Sequence, residues 1–246
     1  MIELTTSDGA SLSAYRADPV GAPKGAVVIL RDDDSMRKVA DAFAAKGFVA
    51  IAPSLSDRAK PGPGSAEDPP AAHQIESGQA LADIQTTIDA VKGAGKVAIV
   101  GYSGGSDLAY AAANRVSGIA CVVGYSGSAT VRAYQEKRKV PTLLHFGESD
   151  ALIPLEAIDQ FRSHRPDVSA FTYPGAAHGF DCEDSESFHE DAAQKALERT
   201  LLFISQYVEG QPPILLKNAG AYAQAKTDRK STKKKGGADD LGPPMD

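Results

Sequence analysis

The chain has 246 residues, 42% of them hydrophobic, with a formal net charge of -6. That length and composition suffice for one sizeable core, and the acidic balance argues against a general nucleic-acid-binding surface. Two cysteines, Cys121 and Cys182, are too few for a disulfide framework. Met1–Thr6 has neither a basic nor an apolar signal region, and no apolar run is long enough to span a bilayer, so a soluble, cytoplasmic protein is expected, with no membrane partner.

In chain order, Ile2–Thr6 and Leu12–Arg16 flank Ser7-Asp8-Gly9-Ala10, the pattern of an antiparallel hairpin with an Asp-Gly turn. Gly25–Leu30 reads as a buried strand. Arg31-Asp32-Asp33-Asp34-Ser35 breaks the apolar pattern, and Met36–Lys46 carries Val39, Ala40, Phe43 and Ala44 at helical spacing, closed by Gly47. Phe48–Ala52 is the next strand. Pro53 to about Ala72, rich in Pro, Gly and Ser, predicts a loop or partial cap over the sheet end. Apolar spacing then predicts a helix from His73 to about Val91, and Lys96–Val100 a strand. Ile119–Gly124 and Thr142–Phe146 are further buried strands, separated by a polar excursion from Ser126 to Arg138. Leu155–Phe161 is a short helix, Ser169–Tyr173 the last strand, and Ser187–Tyr207 a long final helix.

Strands alternating with helices predict a mostly parallel sheet with helices on both faces, occupying residues 1–209. Residues 210–246 contain a breaker, Gln211-Pro212-Pro213, and a Lys/Arg cluster without apolar periodicity. This segment is expected to be a disordered charged tail.

The chemistry concentrates at Gly101-Tyr102-Ser103-Gly104-Gly105, where an apolar strand stops and a small-residue helical pattern from Leu108 to Asn114 follows. G-x-S-x-G between strand and helix is a nucleophile elbow: the turn is too tight for side chains at the flanking glycines, and the serine Oγ is presented at the sheet edge. A serine hydroxyl needs a base, and the base an orienting carboxylate, in the chain order Ser, Asp or Glu, His. Asp150, on the loop after the Thr142–Phe146 strand, is the better placed acid, and Glu148 on the same loop the second candidate. An acid there also fits a cap for the helix from Leu155. Of four histidines after Ser103, His145 lies within a strand, His164 in a polar segment and His189 on the final helix. His178 alone follows the last strand, on a loop of small residues.

These segments resemble the dienelactone hydrolase family of α/β hydrolases over about Ile2 to Val208. The resemblance is carried by Gly101–Gly105, by Gly147-Glu148-Ser149-Asp150, by Tyr173-Pro174-Gly175-Ala176-Ala177-His178-Gly179-Phe180, and by the helix-to-strand passage Ala42–Pro53. It implies the α/β-hydrolase fold with a Ser103, His178, Asp150 triad. It also implies an oxyanion hole from the Gly104 N–H and one on the loop Arg31 to Asp33, taken as Asp33. Founding members use cysteine where this chain has Ser103. The family's Gln-Glu pair stands here as Arg31-Asp32, although a helix N-terminus capped by Asp34 or Ser35 explains the same residues. The family's substrate-holding arginine is replaced near Cys182.

The expectation is a serine hydrolase of a small-molecule ester or lactone, with Arg31, Asp32, Tyr102 and Cys182 as candidate pocket residues. Cys182 is equally an incidental loop thiol, and Cys121 reads as core. No metal is implied, since no histidine pair has ligand spacing, and no cofactor, since the motif lacks the ending of a phosphate loop. The alternatives are a peptidase or thioesterase on the same fold, and a non-catalytic binding scaffold.

Overall fold

The computed structural model describes residues 1–31, 33, 35–55, 77–135 and 137–210. The predicted cap loop and the start of the predicted His73 helix fall largely outside these residues, as do the predicted tail from Gln211 onward, Asp32 and Asp34. The strands are β1 (Ile2–Thr5), β2 (Ser11–Ala17), β3 (Ala26–Leu30), β4 (Val49–Pro53), β5 (Val97–Tyr102), β6 (Ile119–Tyr125), β7 (Thr142–Gly147) and β8 (Ser169–Tyr173). The helices are α1 (Met36–Ala45), α2 (Ser77–Val91), α3 (Gly104–Arg115), α4 (Leu155–His164) and α5 (Glu190–Ile204).

The strands form one sheet in the order β1-β2-β4-β3-β5-β6-β7-β8. The β1–β2 hairpin pairs antiparallel, with β2 antiparallel to β4, and every other pairing is parallel. This is the α/β-hydrolase architecture read from the sequence. Strand alternation divides the core between the faces. Val27 and Ile29 of β3 and Ala98 and Val100 of β5 pack with Ala40 and Phe43 of α1 and Ala192 and Ala196 of α5. Their neighbours Val28, Leu30, Val97 and Ile99 pack on the other face with Ile84 and Ile88 of α2 and Ala109 and Ala112 of α3. Because β5 is inside the sheet, the turn at its end lies beside the ends of β3 and β6.

Several element boundaries differ from the sequence reading, among them the C-terminus of α4, which runs to His164, and the starts of α3 and α5. The elbow helix α3 begins at Gly104, four residues before the apolar pattern does, since small residues at its start carry no periodic signal. His189 precedes α5 as its N-cap, its Nδ1 accepting from the Ala192 N–H at 3.3 Å. Of the two caps expected before α1, Asp34 lies outside the described residues. Ser35, the N-cap residue, makes no side-chain cap bond. Instead Asp33 accepts from the Ser35 N–H at 2.8 Å.

Candidate active site

The elbow is built by close backbone approach. A Cβ on Gly101 would overlap the Gly105 carbonyl, and one on Gly105 would overlap the carbonyl of Leu30 at the end of β3. Glycine at both positions lets α3 start against the sheet edge. Ser103 between them has φ 48° and ψ -118°, a conformation that costs a side-chain-bearing residue about 1–3 kcal/mol. Its surroundings hold it there: the Ser103 N–H donates to the Tyr125 carbonyl at 2.8 Å, and the Ser106 N–H to the Ser103 carbonyl at 3.0 Å.

Ser103 Oγ lies 3.2 Å from His178 Nε2, and His178 Nδ1 lies 2.8 Å from Asp150 Oδ2. The Asp150 side chain is fully enclosed and His178 partly open. The other Asp150 oxygen accepts from the Leu152 N–H at 2.8 Å, which fixes the carboxylate in its own loop. Asp150 thus faces the imidazole and does not cap α4, whose N-cap is Pro154. The histidine loop is tied to the acid loop by backbone bonds from Glu148 to Tyr173 and from Ser149 to Ala176. Glu148 shares this loop, but the bond to the imidazole is made by Asp150. The other histidines are elsewhere: His145 is buried in the sheet and His164 ends α4.

Gly104, the first residue of α3, presents its N–H at the positive end of the helix. The second expected donor region, the loop after β3, lies next to it because Gly105 abuts Leu30. In that loop the Arg31 guanidinium is buried, stacked over the Tyr102 ring at 4.7 Å. It is paired with Asp33 at 2.8 Å and with Asp181 at 2.7 Å. Burial works against its charge, but Asp181 and Asp33 outweigh it and hold the Arg31 pKa above the ordinary value. Burial, then Asp181, pushes the Tyr102 phenol up, so the ring stays neutral.

Arg31 and Tyr102 line a groove of about 440 Å³ between α1 and α5, with Tyr125 and Asp181. Cys182, half-buried, is not among its lining residues. Asp32 lies outside the described residues. Asp181 was missed by the sequence reading. Its only signal there is an acid three positions after His178, and nothing local connects it to an arginine 150 residues earlier. Among the described residues no cluster of three or more His, Cys, Asp or Glu side chains could hold a metal ion, and no helix is long and apolar enough to cross a membrane.

Residues 12–208 match the family model of the dienelactone hydrolase family. A protein of Azospirillum brasilense provisionally named carboxymethylenebutenolidase is 30% identical, over 84% of this chain and 98% of its own length. The carboxymethylenebutenolidase of a Pseudomonas species is 30% identical over 68% of this chain and 76% of its own. Among solved structures, a provisionally named dienelactone hydrolase of Klebsiella pneumoniae superimposes with a TM-score of 0.74 at 22% identity, covering 83% of this chain and 98% of that one. A Pyrococcus furiosus esterase does so with 0.62 at 17%, covering 84% and 91%. The family model spans most of the chain, and the chain belongs to the dienelactone hydrolase family.

Proposed function

We propose that this hydrolase of ester bonds works through Ser103, His178 and Asp150, cleaving a small ester, lactone or related acyl substrate by way of an acyl-enzyme. Ser103 Oγ attacks the carbonyl carbon while His178 Nε2 takes the hydroxyl proton. Asp150 keeps Nδ1 protonated, so that Nε2 is the basic nitrogen, and stabilises the imidazolium that forms. The carbonyl oxygen, now negative, is met by the Gly104 N–H and by an N–H of the loop from Arg31 to Asp33, with Asp33 the assigned donor. Each such donor is typically worth ~3 kcal/mol of barrier. The imidazolium then protonates the leaving oxygen. In the second half, His178 deprotonates water, which attacks the acyl carbon and releases the acid and free Ser103.

The observation that carries this reading is the continuous hydrogen-bonded chain from Ser103 through His178 to Asp150, at 3.2 and 2.8 Å. A fluorophosphonate probe read by mass spectrometry tests it. Labelling of the wild type and not of Ser103→Ala is expected. Labelling of neither means a binding scaffold on a hydrolase fold. Relative rates on p-nitrophenyl acetate, an acyl thioester and an aminoacyl anilide separate an esterase from a thioesterase or peptidase. Two free cysteines accord with a reducing, cytoplasmic compartment.

A further inference from the structure

We infer that the substrates of this site are uncharged esters with an apolar arm seated in the groove between α1 and α5, and that the site discriminates against a substrate bearing a carboxylate. The inference rests on the hydrolase reading above and names its substrate class.

The groove is where the two helices on one face of the sheet part. Val39, Ala42 and Phe43 of α1 face Ala193, Leu197 and Leu201 of α5, each set at the spacing of a single helical face. The rings of Tyr102 and Tyr125, stacked at 4.9 Å, form its floor. Leu197 is 42% exposed and Phe188 37%, so apolar surface is left open along it. About 440 Å³ is within the range of small-molecule sites, which are characteristically apolar with a few polar groups at one end. Two of its lining residues are neighbours of the triad in the chain: Tyr102 precedes Ser103, and Asp181 follows His178 by three residues.

The polar end of the groove is negative. Its buried guanidinium, Arg31, is shared between Asp181 and Asp33, so one cation meets two carboxylates. Glu183 and Glu190 also line this end, and Glu183 is held by Lys38 at 2.6 Å. The other lining cation, Lys46, is the C-cap of α1, seven residues beyond Val39 and about 10 Å away. It is exposed to water there, and at that distance its pull on a carboxylate at the polar end is weaker than the repulsion from the acids beside it. A substrate carboxylate at this end of the groove therefore meets like charge with no guanidinium left to receive it, while an alkyl or aryl arm finds matching walls. Repulsion of this kind at partly enclosed sites changes selectivity by about tenfold or more at low salt.

The test compares p-nitrophenyl hexanoate with mono-p-nitrophenyl adipate, of equal acyl length, on the full chain. A kcat/KM ratio of about ten or more in favour of the neutral ester is expected at low salt. It should narrow as salt is added, and narrow further in Asp181→Asn. Parity, or preference for the adipate, overturns the inference. The groove itself is tested without turnover, by titrating Ser103→Ala protein with N-phenyl-1-naphthylamine, a neutral apolar fluorophore. Saturable binding that Leu197→Asp weakens is expected, as is weakening by Ala42→Trp, which fills the groove from an exposed position on the opposite wall. Binding that is absent, or indifferent to both variants, overturns it. If the fluorophore binds as expected and no ester is cleaved, the hydrolase reading fails and the groove assignment stands.

Discussion

Removing the Thr200 hydroxyl tests how the sheet is clamped to α5. Thr200 is fully buried, with its Oγ1 2.6 Å from the Tyr125 hydroxyl and 3.1 Å from His145 Nε2. His145 Nδ1 lies 2.8 Å from the Tyr173 hydroxyl, whose oxygen also accepts from Arg199 Nη1 at 3.0 Å. Since arginine can only donate, the Tyr173 proton is available to Nδ1, and the tautomer that satisfies every partner puts the His145 proton on Nε2, toward Thr200. Thr200→Val keeps the shape of the side chain and leaves both the Tyr125 hydroxyl and the His145 Nε2–H without a partner in an enclosed space. Each orphaned group costs about 1–3 kcal/mol, so the pair is expected to cost about 2–6 kcal/mol. Thr200→Ser keeps both bonds and gives up one methyl, worth about 1 kcal/mol. Urea denaturation of the three proteins measures this as a fall in midpoint at constant slope. Because the Tyr125 carbonyl holds the Ser103 N–H, fluorophosphonate labelling should slow in Thr200→Val and recover in Thr200→Ser. Equal stability of the Val and Ser variants would refute the reasoning.

Burial, with Arg199 adding to it, pushes the His145 pKa down to about 3, against an ordinary value of 6.5. Between those values the unfolded chain binds a proton that the folded one does not. The contribution is therefore complete above pH 6.5 and lost as pH falls toward 3, at about 1.4 kcal/mol per unit. NMR should find this ring neutral at pH 5; titration near 6.5 would contradict it. Asp150→Asn removes the acceptor of the His178 Nδ1 proton and is expected to lower kcat by about 10³-fold or more with little change in KM, measured on a neutral p-nitrophenyl ester. Arg31→Met strands Asp181, only 11% exposed, and is expected to cost about 3 kcal/mol. Adding Asp181→Leu should recover at least about 1 kcal/mol of that in a double-mutant cycle; strict additivity would mean the pair is not coupled.

What could be read before the structure was what lies close together in sequence. Gly101 and Gly105 announce a turn without room for Cβ atoms, and the strand before them sets its position in the sheet. His178 stood out because a loop of small residues follows a strand there, and Asp150 because its loop follows the neighbouring strand. The Arg31–Asp181 bridge and the Tyr125–Thr200–His145 network had no such signal. A threonine in the middle of a helix and a histidine inside a strand look like ordinary packing residues. Their roles come from α5 lying across β6 and β7, a tertiary fact that periodicity does not encode. The bond from the Ser35 N–H to Asp33 was hidden differently, since a run of three aspartates offers three equivalent registers.

A second copy of the elbow tetrapeptide shows how far local sequence goes. Gly-Tyr-Ser-Gly occurs at 101–104 and again at 124–127, and the two stand side by side, Gly101 opposite Gly124 and Tyr102 opposite Tyr125. The backbone repeats as well: Ser103 and Ser126, at φ 48° and 51°, are the two non-glycine residues with positive φ among those described. The chemistry does not repeat. After Ser103 the small residues Gly104-Gly105-Ser106 lead into α3, which puts a helix N-terminus behind the hydroxyl, and His178 stands within hydrogen-bond reach. After Ser126 the chain makes only a short turn at Thr130–Arg132, and the Ser126 Oγ is enclosed without a hydrogen-bond partner among the described residues. Four residues are enough to specify a strained turn at the edge of a parallel sheet. Whether the serine in it is presented as a nucleophile is decided by the helix that follows and by the imidazole that arrives from a strand three places further along the sheet.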